Sequence, residues 1–77
     1  GGGSQPGMMD EVVNVLGTGG RLVANAVTLE MEAVLLALHA SHGGELFRVS
    51  VSRAAPVGGM TGWRAAMPVT QWVWTKP

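Results

Sequence analysis

Apolar and polar positions alternate legibly in several stretches of the chain. Residues 11–16, EVVNVL, are rich in β-branched side chains and stop at the glycine cluster GTGG, which predicts a strand. Met8, Val12, Val15 and Leu16 would equally share one face of a helix, and so short a run leaves both readings open. Beyond Gly20 the spacing changes: Leu22, Ala26, Leu29, Ala33, Leu36 and Ala40 recur at four and three residues and form one stripe of a helix. Arg21, Asn25, Thr28, Glu32 and His39 run opposite, and the SHGG of residues 41–44 ends the helix. Residues 45–53, ELFRVSVSR, alternate strictly, with Phe47, Val49 and Val51 on one face of a strand. The following AAPVGGMTG reads as a turn or arm, and residues 63–76 as a second strand with Pro68 at a bulge or an edge. The expected fold is α+β, ordered β-α-β-β, with one long helix packed on a small sheet and a C-terminal β-hairpin.

The long helix is apolar around more of its circumference than one seam requires. Val23, Val27, Met31, Val34 and Leu38 continue the apolar sector past the Ala/Leu stripe, so two neighbours are expected, one on each side. Glu30 falls within that sector, where an unpaired carboxylate is costly. Composition points the same way. Only 13% of the 77 residues are charged and 47% are apolar, too greasy for a solitary small monomer. No cysteine is available to staple so small a domain. Val23, Val27, Met31, Val34 and Leu38, with Trp72 and Trp74, are therefore the candidate interface with another protein chain, in a homo- or hetero-oligomer.

The opening GGGSQPG reads as a flexible tether or expression scar spanning residues 1–7, which leaves 8–77 as a single α+β domain. With no initiating Met, the chain is expected to be a processed product or a piece of something longer. The apolar run at residues 22–40 contains Glu30 and Glu32, which argues against a membrane span. No signal peptide is visible, and an intracellular or organellar setting is expected over a secreted one.

Candidate chemistry is sparse. The glycines of VVNVLGTGGR could bring backbone amides to an anion, but the full dinucleotide fingerprint is absent, and a plain tight turn is the simpler reading. His39, His42 and Glu45, at i, i+3 and i+6, could in principle gather a metal, but two of the three fall at a fraying helix end and no fourth ligand is apparent, so neither a metal nor a cofactor is expected. No nucleophile and base pair at catalytic spacing, so no catalytic residue is assigned and the chain reads as a non-enzyme. The net charge is zero, which denies the chain a global basic field, but Arg48, Arg53, Arg64 and Lys76 gather on the hairpin. Trp72 and Trp74 lie on one side of the last strand, either as core beneath the helix or as a stacking platform.

The stretch EVVNVLGTGGRLVANAVTLEMEAV, with the hairpin ending in WVWTKP, resembles the second half of the Alba superfamily of small DNA- and RNA-binding proteins. Gly20, Arg21, Val23, Ala26, Val27 and Glu30 or Glu32 sit at places similar to that family's pattern. The resemblance implies a non-enzymatic component of a nucleoprotein assembly, working as an RNA binder or a scaffold. Gly19, Gly20, Arg21, Arg48, Arg53, Arg64 and Lys76 would then contact phosphates of RNA or DNA. The family's first strand and helix have no counterpart here, which leaves a protein–protein assembly module without nucleic acid as the competing reading. A small enzyme with an anion site at the glycine loop is the third.

Overall fold

The computed structural model describes residues 6–77. Its elements are α1 (Pro6–Val15), β1 (Arg21–Ala26), α2 (Leu29–His42), β2 (Glu45–Val49), β3 (Ser52–Val57), β4 (Met60–Ala65) and β5 (Val69–Thr75). The chain is α+β with antiparallel strands, but the order α-β-α-β-β-β-β replaces the expected β-α-β-β. Of the expected tether, residues 1–5 lie outside the described residues, while Pro6 and Gly7 already belong to α1.

Residues 11–15 are helical, and the helix buries a face other than the one the apolar spacing named, leaving Val15 75% exposed. Met9 and Val13, four residues apart, are both buried, and Pro6 occupies a first position where its missing N–H costs nothing. The last turn is held from the far end of the chain. Lys76 Nζ donates to the carbonyls of Val13 at 3.1 Å and Asn14 at 3.3 Å.

The expected long helix is divided. Its first third is β1, in which Leu22, Ala24 and Ala26 point to the core and Arg21, Val23 and Asn25 away from it. That alternation of period two outweighs the four-residue spacing of Leu22 and Ala26. α2 starts only at Leu29, because Thr28 caps it: the Thr28 hydroxyl accepts from the Met31 amide at 3.2 Å with the Thr28 backbone extended. Thr28→Ala is expected to cost about 1 kcal/mol, read as a lowered midpoint in urea denaturation.

The other corrections concern the strands. The single strand expected at residues 45–53 breaks after Val49, and the one expected at 63–76 breaks before Val69, with Pro68 in the gap. Four strands replace two. With β1 they form a three-stranded sheet, ordered β1-β5-β2, and a separate two-stranded ribbon of β3 and β4. Because β1 and β2 each run antiparallel to β5, they are parallel to one another, and α2 is the crossover that joins them.

α2 covers one face of the three-stranded sheet. Leu35 and Leu38 are buried against Trp72, Trp74 and Ala26, with Met9 and Val13 completing the core. The two indoles stack, ring centroids 5.7 Å apart and planes 13° apart. Their N–H groups donate to the last carbonyls of α2, Trp72 Nε1 to Gly43 O at 2.8 Å and Trp74 Nε1 to His42 O at 3.1 Å. The tryptophans thus satisfy a helix end as well as filling space. The outer side of α2 is covered by nothing among the described residues, and Leu29 is 80% exposed. Glu30 is exposed there too, beside a groove between α1 and α2 lined by Asp10, Val34, Ala37 and Ser41. No helix among the described residues is long and apolar enough to cross a membrane.

Candidate functional site at the carboxyl end of the sheet

Parallel strands joined by a helix leave their carboxyl ends and the helix N-terminus at one rim of the sheet, where open α/β sheets bind ligands. Here that rim holds the ends of β1 and β2, the start of β5 and the first turn of α2, because Ala26 and Arg48 both lie across from Thr70. A polar cluster occupies it. Glu32, in the first turn of α2, accepts from Arg48 on one carboxylate oxygen and from Thr70 Oγ1 at 3.2 Å on the other. On the opposite face of the sheet, Gln71 Nε2 donates to Asn25 Oδ1 at 2.8 Å.

These bonds decide what each group can offer. Both Glu32 oxygens are engaged, so Glu32 holds Arg48 and Thr70 in place. Asn25 keeps its two N–H donors, and its side chain is exposed with the carbonyl already anchored by Gln71, an arrangement that can present donors to a carbonyl or carboxylate. Asn25, Glu32, Thr70 and Gln71 escaped the sequence reading as a site. Asn25 and Glu32 were placed together on the polar side of one helix, and only the strand-like alternation up to the Thr28 cap separates them.

The predicted anion contacts do not form one patch. The Gly19 amide donates to Lys76 O at 2.7 Å and the Gly20 amide to Gly17 O at 2.8 Å, so neither is free for a phosphate. Arg48 is paired with Glu32, and Lys76 caps α1. Arg21 is exposed at the start of β1, at the opposite end of the sheet from the rim. Arg53 and Arg64 face each other across the β3–β4 ribbon. Of the predicted interface residues, Trp72, Trp74 and Leu38 are buried within the chain, Met31 and Val34 are half-buried, and Val23 and Val27 are half exposed. His42 packs its ring against Trp74, centroids 5.1 Å apart, and no metal-binding cluster forms among the described residues.

Comparison with known proteins changes the functional reading. The family profile described as "Precorrin methyltransferase domain" matches residues 1–76. A Sinorhizobium sp. precorrin-6Y C(5,15)-methyltransferase [decarboxylating] is 63% identical over 76 residues, 99% of this chain and 18% of its own length. The enzyme of the same name from Mycobacterium tuberculosis is 50% identical, again over 99% of this chain and 20% of its own. Among solved structures, a putative precorrin-6Y C5,15-methyltransferase targeted domain from Corynebacterium diphtheriae superposes with a TM-score of 0.90 and 40% identity, covering 100% of this chain and 46% of that one. The C-terminal domain of the Rhodobacter capsulatus precorrin-6Y C5,15-methyltransferase gives 0.87 and 44%, over 94% and 39%. The chain therefore spans about a fifth of the length of these full-length relatives.

These matches overturn the Alba resemblance, which rested on a short glycine, basic and apolar pattern. The non-enzymatic, nucleic-acid-binding reading falls with it, as does the reading as a pure assembly module, because the relatives are named as enzymes. The chain belongs to the precorrin methyltransferase domain family.

Proposed function

We propose that this chain is a section of the methyl-transferring domain of a precorrin-6Y C(5,15)-methyltransferase, contributing one edge of its sheet and part of the rim that receives the substrate. The observation that carries this is the identity of 63% maintained over 99% of the chain. The rest of the site comes from polypeptide beyond these residues, since such relatives are about five times longer.

Methyl transfer to carbon needs an electrophilic methyl group held in line with an electron-rich carbon, and the decarboxylation in the relatives' name needs a carboxylate placed to leave as carbon dioxide. Both are first of all problems of orientation. Asn25, with its carbonyl fixed by Gln71, supplies directed N–H donors at the rim; the Glu32–Arg48–Thr70 cluster stiffens the floor on the helix side. The remainder of the polypeptide packs on the open edge of β1 and the outer side of α2, where Leu29 and Leu36 are exposed.

The test uses the full-length polypeptide with precorrin-6Y and a methyl donor, followed by mass spectrometry. Added methyl mass together with loss of carbon dioxide is the expected result; an unchanged substrate with folded protein would overturn the proposal. In the same assay Asn25→Ala should lower kcat/KM roughly tenfold, the equivalent of about 1.4 kcal/mol of lost transition-state stabilisation. Unaltered kinetics would remove Asn25 from the site.

A further inference from the structure

β2 ends at Val49 and β5 begins at Val69, both at the carboxyl rim of the sheet, so the β3–β4 ribbon between them springs from that rim. Its root lies beside the groups assigned above to the substrate. Arg53 of β3 and Arg64 of β4 are direct partners across the ladder there. Side chains so placed share one face, with Cβ atoms about 4.5–5.5 Å apart, and two like charges in that position repel.

Nothing among the described residues offsets this repulsion. The salt bridge found among them joins Arg48 to Glu32 and involves neither ribbon arginine. All five acidic residues lie between positions 10 and 45, so beyond Glu45 every charged side chain is a cation. Both arginines are exposed. The rest of their face is apolar. Alternation puts Ala55, Val57, Met60 and Gly62 on it toward the tip, and Val51, whose carbonyl accepts from the Ala66 amide at 2.9 Å, continues it at the root. Val57 and Met60 stand largely in solvent. A pair of cations set in an exposed apolar face fits an apolar body that carries a carboxylate: the body covers the face, and the planar guanidinium forks take the two oxygens.

We propose that Arg53 and Arg64 form a clamp for a carboxylate of the substrate, an inference that rests on the methyl-transfer reading given above. The relatives' reaction is decarboxylating, so what they act on carries a carboxylate. The clamp suits one that stays in the product. Two guanidiniums stabilise a carboxylate's charge, and departure as carbon dioxide removes that charge, so a clamp on the leaving group would favour bound substrate over transition state. Arg53 and Arg64 therefore bind and orient, and their loss should appear in KM.

The experiment measures equilibrium binding of precorrin-6Y to the full-length polypeptide by calorimetry, and its turnover by mass spectrometry. Arg53→Gln and Arg64→Gln should each bind about tenfold more weakly, as loss of a charge-assisted hydrogen bond implies. KM should rise in proportion, with kcat and the ratio of methylation to decarboxylation unchanged. Arg64→Lys, which keeps the charge and loses the fork, should fall between. Added salt should weaken wild-type binding more steeply than that of Arg64→Gln. Arg21→Gln, at the opposite end of the sheet, should match the wild type. Removing one of two repelling charges costs the unliganded ribbon nothing, so the urea midpoints of the glutamine variants should not fall. Equal binding by the wild type and both glutamine variants would overturn the clamp. So would an equal loss in Arg21→Gln, which would mark a general charge effect, or a lowered midpoint with unchanged binding, which would mean that a carboxylate of the protein occupies the pair. Binding without turnover, lost in the glutamine variants, would support the clamp while sinking the methyl-transfer reading; a wild type that does not bind precorrin-6Y would sink both.

Discussion

Trp72→Ala is expected to lower the stability of the protein by about 3–5 kcal/mol, a large share of what a small domain possesses. Trp72 has no exposed surface at all. Its ring stacks on Trp74, and its N–H satisfies the Gly43 carbonyl just beyond α2. Alanine would open a cavity beneath Leu35 and leave that carbonyl without its partner. Trp72→Phe separates the two contributions: it keeps most of the apolar volume and loses the hydrogen bond, so its cost should be about 1–2 kcal/mol. The exposed Trp63 is the internal contrast, at 79% exposure. In a single chain, Trp63→Ala should shift stability by no more than about 0.5 kcal/mol. The measurement is the denaturation midpoint of each variant under one condition. A Trp72→Ala loss no larger than that of Trp63→Ala would remove Trp72 from the centre of the core.

The Trp pair shows what could be read from the sequence and what could not. Alternation alone put both rings on one side of a strand, and that holds: β5 buries Thr70, Trp72 and Trp74 in succession. Whether the rings meet a helix of the same chain or a foreign surface depends on tertiary placement, which period-two patterning does not encode. The ambiguity at residues 21–26 was of another kind. Leu22 and Ala26 fit a helix and Leu22, Ala24 and Ala26 fit a strand, since alanine belongs comfortably to either. The deciding residue was Thr28, whose hydroxyl caps α2 at Leu29 and so releases everything before Val27 to the sheet. The ribbon was half legible. Gly58 and Gly59 marked its turn, and the positive φ of Gly58, 61°, shows why a glycine stands there. The break before Val69 was masked by treating Pro68 as a bulge within one strand.

The site was less legible than the fold, for a physical reason. A rim at the carboxyl end of a sheet is assembled by topology, and Asn25, Glu32, Thr70 and Gln71 are spread over 47 positions with no spacing that betrays them. The positive mean hydropathy, +0.27, was correctly sensed as a surplus of apolar surface. From the sequence it was read as an interface with another protein chain. Under the function proposed above, the exposed Leu29 and Leu36 of α2 and the open edge of β1 mark where the rest of a longer polypeptide would pack. The cationic side chains misled similarly. Arg48 and Lys76 look like free charges in the sequence, yet one props Glu32 and the other closes α1.

The sharpest test of how α2 is joined to the sheet lies in the glycine pair after it. Gly43 and Gly44 both have positive φ, 76° and 88°, so a side chain at either strains the backbone. Their surroundings differ. A Cβ at Gly43 would meet nothing within 4 Å, whereas one at Gly44 would lie 2.5 Å from the Val73 carbonyl oxygen and 3.2 Å from Trp72 Nε1. The first obstacle is backbone of the central strand, and it cannot swing aside without parting β2 from β5 at the Glu45–Val73 pair. Gly43→Ala should therefore cost only the conformational term, about 1–3 kcal/mol. Gly44→Ala adds a clash with the sheet and should cost on the order of 4 kcal/mol. Because the two substitutions are chemically identical and adjacent, the difference between their urea midpoints isolates the close approach of the chain to Val73. Equal losses at the two positions would mean that the crossover from α2 does not press on β5 there, and that the stacked indoles lie farther from the helix end than their hydrogen bonds imply.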